Sequence, residues 1–253
     1  MRGFIDLHCH WIASIDDGAR SPLEGVTMLQ NLHAVGFSTV VATPHMRPGM
    51  FENDAPALRV AYEGMAPHLE GVPNLPEVLL ASEHFFDDVT FNRMKHGEVL
   101  PYPPGAGRVP AATRCILVEF PPQGFPVNIQ ARFYDMRRLR LSPILAHPER
   151  YAPVWSDDTC LDPLIDAGAG LLLDVCALVG KYGRRPQKSA EKLLEDQAYE
   201  AACSDAHRPE DAEVTGRAIA RLQELVGPAE LNTLLVKGPA GILEGRRRRG
   251  QLA

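Results

Sequence analysis

Phe4-Ile5-Asp6-Leu7-His8-Cys9-His10 is a short apolar stretch running straight into two imidazoles. Side chains alternate along an extended chain, so His8 and His10 point the same way and can hold one metal ion together. The pattern of an apolar run followed by metal-type ligands repeats at Val40-Val41-Ala42-Thr43-Pro44-His45 and at Leu79-Leu80-Ala81-Ser82-Glu83. It returns at Ile116-Leu117-Val118-Glu119, at Ile144-Leu145-Ala146-His147 and at Ala202-Cys203-Ser204-Asp205-Ala206-His207.

These runs predict strands at Phe4 to Leu7, Thr39 to Ala42, Val78 to Ala81, Cys115 to Phe120, Pro143 to Ala146, Leu171 to Val175 and Ala201 to Cys203. Runs without alternation suit strands covered on both faces, as in a parallel sheet. Between them lie helical patterns. The first has Ser21 as N-cap, Pro22 in the first turn, Glu24 to complete a capping box and Gly36 as a left-handed stop. Others are expected over Asp54 to His68, Asn128 to Leu139, Leu161 to Ala167, Ser189 to Leu194 and Pro209 to Leu225. Seven strands alternating with helices describe either a barrel or an open doubly wound sheet. The ligands decide between them. An open sheet would spread strand-end residues along a line, whereas a barrel gathers them at one mouth. The expectation is a single-domain α/β protein, a distorted (β/α)7 TIM-like barrel over residues 1–245, with a basic tail at 246–253. Gly97 to Arg114 reads as a long loop.

Bulk properties exclude several classes. A net charge of −6 on 253 residues argues against a dedicated nucleic-acid binder. No apolar run reaches the roughly 18 residues of a membrane span. Five cysteines, without a CxxC pair, read as free thiols, and the expected compartment is the cytoplasm. Arg246-Arg247-Arg248-Arg249 reads as a solvated, mobile end. A cysteine phosphatase needs Arg six positions after its Cys. The residues there are Ile15, Pro121, Asp166, Tyr182 and Pro209, so that mechanism is rejected.

Of nine histidines, five (His8, His10, His45, His147 and His207) directly follow strand-like runs. His33, His68 and His96 read as surface residues, and His84, beside Glu83, stays open. One of Asp16 and Asp17 is expected to reach the site, and Arg150 is a candidate phosphate clamp because guanidinium matches phosphate oxygens bidentately. The nitrogen and oxygen donors suit manganese, iron or zinc, with manganese the first expectation.

The phrases His8-Cys9-His10, Asp16-Asp17-Gly18, Ala42-Thr43-Pro44-His45, Ala146-His147-Pro148-Glu149-Arg150-Tyr151 and Ser204-Asp205-Ala206-His207, in this order, resemble the PHP (polymerase and histidinol phosphatase) superfamily. More narrowly they resemble its bacterial metal-dependent protein-tyrosine phosphatases of capsule and exopolysaccharide clusters, from about Phe4 to about Leu243. The resemblance implies three divalent ions. His8, His10, Glu83 and Asp205 would hold the first. Glu83 would bridge to a second, held also by Glu119 and His147, and Asp17, His45 and His207 would hold the third. It implies a tyrosine kinase controlling polysaccharide export as the phosphotyrosine-protein partner. It also implies a second phosphate-binding arginine several residues after Ser204-Asp205-Ala206-His207. Here Arg208 follows at once and is the candidate, so Arg150, Asp205, His207 and Arg208 are the expected catalytic residues. Leu171 to Gly180 departs from the family, which often carries Gln and Asn there. Four carboxylates against three divalent ions leave a site about two charges positive, suited to a phosphate dianion. The expected nucleophile is a hydroxide held between the ions, attacking phosphorus in line with the leaving oxygen. A histidinol-phosphatase-like activity on small molecules is the nearest alternative, and a non-catalytic metal-binding regulatory module is the alternative from another class.

Overall fold

The structure is a computed structural model describing residues 3–104 and 113–247. Its strands are β1 (Phe4–Cys9), β2 (Phe37–Ala42), β3 (His45–Met46), β4 (Glu77–Leu80), β5 (Glu83–Phe85), β6 (Arg114–Glu119), β7 (Leu141–Ala146), β8 (Gly170–Asp174) and β9 (Ala201–Cys203). Its helices are α1 (Pro22–Ala34), α2 (Ala55–Leu69), α3 (Asp88–His96), α4 (Ile129–Arg138), α5 (Ala152–Ser156), α6 (Asp162–Asp166), α7 (Arg184–Glu195), α8 (Asp211–Asn232) and α9 (Gly238–Leu243).

Every ladder between these strands is parallel. Strand order is β1-β2-β4 in one sheet and β3-β5-β6-β7-β8-β9 in the other. The two sheets are continuous in the chain. β2 passes into β3 across Thr43-Pro44, and β4 into β5 across Ala81-Ser82. Pro44 has no N–H for a ladder, so pairing breaks there. Ala81 N donates to Ala42 O (2.8 Å), Glu83 N to Pro44 O (3.2 Å) and the Ser82 hydroxyl to Pro44 O (2.8 Å), which carries the pairing across the gap. The interruption puts His45 and Glu83 opposite each other at the start of β3 and β5. At the far edge Cys9 bridges Ala206 in parallel, with His10 N donating to Ala206 O (2.9 Å) and Asp205 N to His8 O (3.0 Å). The mouth ends of the first and last strands are thereby joined.

Two apolar clusters flank the strands. The larger packs helices against them. The smaller draws Leu7, Val41, Leu117, Ile144, Leu172 and Cys203 together, closed by Ile242 and Leu243 of α9. The β1–β2 register shifts between Asp6 and Cys9. That irregularity lets Leu7 join the inner cluster while His8, one residue on, joins the ligands; strict alternation would part them.

α1 starts as its caps require: Ser21 is extended (φ −149°), its hydroxyl accepts from Glu24 N, and Gly36 beyond the end has φ +119°. The reciprocal half of the expected capping box is not made. Glu24 instead accepts from Arg20 N (2.9 Å) and pairs with the Arg20 guanidinium. α7 begins five residues before the expected Ser189, and α3 was not expected at all. The basic end is also corrected in part. Arg247 is not solvated: its guanidinium donates to Gly168 O and Ala169 O and lies 3.7 Å from Glu200. Arg246 is exposed and paired with Glu244. The rest of the expected tail, residues 248–253, and residues 105–112 of the expected long loop lie outside the described residues.

Candidate metal centre and active site

The strand-end ligands converge on one buried spot. His8 Nε2 and His10 Nε2 face each other at 3.1 Å. His8 Nε2 is 3.1 Å from Glu83 Oε2 and 3.3 Å from Asp205 Oδ1. Glu83 Oε2 also lies 3.1 Å from His45 Nδ1, while Glu83 Oε1 is 3.1 Å from His147 Nε2. Glu119 Oε1 is 3.4 Å from His45 Nδ1. Asp17 Oδ1 lies 3.4 Å from His45 Nε2 and 3.5 Å from His207 Nε2. All nine expected ligands therefore lie in one cluster. One pairing differs from that implied by the resemblance: Glu119 groups with His45 and Glu83, while His147 groups with His8 and Glu83. Glu83 is common to both.

These residues fit divalent cations. Donor atoms about 2.1 Å from a shared ion, at right or tetrahedral angles, sit about 3.0–3.4 Å apart. That is the spacing seen. Two imidazole nitrogens facing each other at 3.1 Å share at most one proton, and Glu119 Oε1, Asp205 Oδ1 and His45 Nδ1 are buried without a hydrogen bond. Buried polar atoms left without partners are costly, and a cation satisfies them together. Burial and the neighbouring Glu83 push the Glu119 carboxyl up to about 8. Burial works against ionisation of Glu83 and Asp205 too, yet the surrounding histidines hold both well below the usual carboxylate range. Burial and the Arg150 charge pull His147 down to about 4, leaving its ring neutral at physiological pH.

The chain holds the ligands in costly backbone. His147 (φ 35°) and Asp205 (φ 45°) both adopt left-handed conformations that non-glycine residues rarely take. Asp6, unnoticed in the sequence, ties β1 to the Asp205 segment: it accepts from the Ser204 hydroxyl (2.5 Å), Ser204 N (2.9 Å) and His8 N (3.3 Å).

Asp16 and Asp17 divide their work. Asp17 faces His45 and His207. Asp16 turns inward, accepting from His10 Nδ1 (2.8 Å), His45 N (3.0 Å) and Gly18 N (2.8 Å). It thereby fixes the His10 ring with Nε2 toward the cluster. Gly18 is needed beside them, since a Cβ there would meet His10 O at 2.1 Å. Asp16→Asn is expected to weaken divalent-ion affinity about 10–100-fold, read by titration of metal into the apo-protein. Unchanged affinity would remove Asp16 from this role.

Arg150 closes one side. Its Nη1 contacts Asp205 Oδ2 at 2.5 Å and lies 3.7 Å from Asp174 Oδ2, and its guanidinium carbon sits 4.4 Å over the Tyr182 ring. Asp174 comes from the stretch that departs from the family, and Tyr182 follows that stretch by two residues. Below them the buried Glu149 carboxylate accepts from Asp174 N (3.0 Å) and the Tyr199 hydroxyl (2.9 Å). Arg208 is engaged elsewhere: its Nη1 donates to Asp17 O, Gly18 O and His207 O, so it clamps the Asp16-Asp17-Gly18 loop. His84, left open by the sequence, is structural. It lies between Leu117 O and Leu100 N, and burial lowers it to about 4. Burial and nearby carboxylates push the Cys9 thiol well up, the reverse of what a nucleophilic cysteine needs.

Comparison with known proteins agrees with this geometry. The family model for capsular polysaccharide synthesis, CpsB/CapC, matches residues 4–244. The chain belongs to the CpsB/CapC family. Within it, tyrosine-protein phosphatase YwqE of Bacillus subtilis is 29% identical over 206 residues, covering 80% of this chain and 77% of YwqE. Putative tyrosine-protein phosphatase CapC of Staphylococcus aureus is 25% identical, covering 80% of this chain and 76% of CapC. A solved structure described with YwqE and Streptococcus pneumoniae CpsB as unique metal-dependent tyrosine phosphatases superposes at a TM-score of 0.83. It is 25% identical, covering 96% of this chain and 97% of that one. An amidohydrolase from Mycoplasma synoviae (TM-score 0.61, 14% identical, covering 95% of this chain and 87% of its own) shares the fold alone.

Proposed function

We propose that this CpsB/CapC protein is a metal-dependent phosphomonoesterase acting on phosphotyrosine in a protein. The observation that carries this reading is the convergence of nine histidine and carboxylate ligands, beside Arg150, at the mouth of a fold shared with metal-dependent tyrosine phosphatases. His8, His10 and Asp205 would hold one ion, Glu83 would serve both the group that carries His147 and the group in which Glu119 lies beside His45, and Asp17, His45 and His207 would hold a third. Manganese is the first choice, with iron or zinc as alternatives. When bound, such ions supply Lewis-acid polarisation of phosphoryl oxygens and a water acidic enough to ionise near neutral pH.

The chain's own residues do the rest. Asp205 and Asp174 anchor Nη1 of Arg150, whose Nε and Nη2 make no hydrogen bond among the described residues and are left to meet phosphoryl oxygens. Asp16 keeps Nδ1 of His10 protonated and Nε2 free as a ligand. Arg208, holding the loop that carries Asp17, acts as a positioning residue. Tyrosine leaves with a pKa of about 10, which lessens the demand for a strong general acid.

The capsule-synthesis family supports a bacterial tyrosine kinase controlling polysaccharide export as the natural substrate. Five free thiols support a reducing compartment such as the cytoplasm, and no helix among the described residues is long and apolar enough to cross a membrane. The test compares a phosphotyrosyl peptide, histidinol phosphate and single-stranded DNA on metal-loaded protein. The peptide is expected to show the highest kcat/KM by at least about tenfold, or 1.4 kcal/mol. Far better turnover of histidinol phosphate or DNA sinks the proposal.

A further inference from the structure

The reading above gives the substrate one arginine, Arg150, because Arg208 turns its Nη1 onto the carbonyls of Asp17, Gly18 and His207 and holds the loop that carries Asp17. A second guanidinium borders the cluster from another direction. Arg47 follows β3 directly, two residues after the ligand His45. Its backbone closes a tight turn with Phe51: Phe51 N donates to Arg47 O (2.8 Å) and Arg47 N to Phe51 O (3.3 Å). Asn53 pins the base of this turn by donating to both His45 O and Ile15 O, each at 2.9 Å. The turn folds back on the site, with the Phe51 ring parallel to the His45 imidazole (centroids 5.3 Å apart, 6° between planes).

The Arg47 side chain is held without being consumed. Its guanidinium carbon lies 4.2 Å over the Phe85 ring, which sets its plane. Nη1 sits 3.9 Å from Glu119 Oε1, too far for a hydrogen bond, and 28% of the side chain remains exposed. A planar, oriented, solvent-touching cation next to a ligand carboxylate suits a phosphoryl group bound at the same ions.

We propose that Arg47, stacked on Phe85, is the second phosphate-binding arginine of this protein, contacting phosphoryl oxygens beside Glu119 as Arg150 does beside Asp205. The assignment rests on the phosphomonoesterase reading. The bland competitor is that Arg47 only offsets the charge of Glu119, in which case its loss would weaken metal binding and leave phosphate affinity per loaded site unchanged.

The experiment uses full-length, manganese-loaded protein. Inorganic phosphate binding is measured by calorimetry and bound metal by elemental analysis, for wild type, Arg47→Gln and Arg47→Lys. Arg47→Gln is expected to raise the phosphate Kd about 10–100-fold at unchanged metal content, with a matching fall in kcat/KM for p-nitrophenyl phosphate. Arg47→Lys should recover only part of this, because an ammonium cannot reproduce the stacked planar fork. An unchanged phosphate Kd in Arg47→Gln, or a loss that follows metal content alone, overturns the assignment. Wild-type protein that binds phosphate through Arg47 yet leaves phosphotyrosine untouched overturns the functional reading and spares Arg47. Wild-type protein that binds no phosphate overturns both.

Discussion

Asp205→Ala is expected to lower kcat on an aryl phosphate by about a thousandfold or more while the barrel remains folded. The side chain serves both halves of the site. Oδ1 faces His8 and His10, at 3.3 and 3.6 Å, and Oδ2 binds Arg150. Truncation removes one of the proposed metal ligands and frees the guanidinium, leaving it with Asp174 at 3.7 Å. Losing one strong electrostatic contact in such a site costs on the order of 3–4 kcal/mol of barrier, and here two are lost together. The fold should survive because Asp205 stands at the mouth, above the apolar clusters. Alanine pays about 1–2 kcal/mol in the left-handed conformation that Asp205 occupies. Asp205→Asn tolerates that backbone better and separates strain from lost charge. His147→Ala should behave alike, since its Nε2 shares Glu83 with the cluster. Turnover is measured at saturating manganese, with circular dichroism and Tm as folding controls. Near-normal kcat in both alanine variants would discard the trinuclear arrangement.

Stripping the metal with a chelator is expected to abolish turnover and lower Tm by about 5–10 °C. An ion present at a hundred times its Kd contributes about 2.7 kcal/mol to the folded state, and about 1 kcal/mol moves Tm by about 2–4 °C in a chain of this size. The structural reason is the donor cluster. Glu83, Glu119 and Asp205 are buried within a few ångströms of one another and of five imidazoles, and several of their atoms have no hydrogen bond to replace the ion. Scanning calorimetry with and without chelator, followed by manganese re-addition, checks it. A metal-free protein with unchanged Tm and full activity would refute the metal centre itself.

Much of the site was legible because its chemistry is written locally. His8-Cys9-His10 announces two imidazoles on one side of a strand, and the structure sets their Nε2 atoms 3.1 Å apart. Residues at the ends of parallel strands share a mouth whatever the details between, so Glu83, Glu119, His147 and Asp205 could be selected without coordinates. α3 escaped notice because few of its residues are strongly apolar, although its punctuation was present: Asp87 accepts from Thr90 N (2.7 Å), and Gly97 ends it at φ 75°. Caps were the better guide there than hydrophobic period. Arg247 was misread because a run of arginines looks solvated until the carbonyls of Gly168 and Ala169 come within its reach.

What the sequence by itself determined was the set of histidines and carboxylates that cluster, the alternation of strands and helices, and the strand ends as the place where they gather. These follow from side-chain type and from periodicity, which are properties of neighbours in the chain. Only the tertiary structure decided that Asp17 faces His45 and His207 while Asp16 orients His10, that Glu119 lies beside His45, that Arg208 clamps a loop, and that Arg47 rests on Phe85 at the edge of the site. Adjacent aspartates and scattered arginines are alike in a string of letters. Their roles depend on distances of 3–4 Å between residues tens to nearly two hundred positions apart, and those distances exist only once the strands have paired.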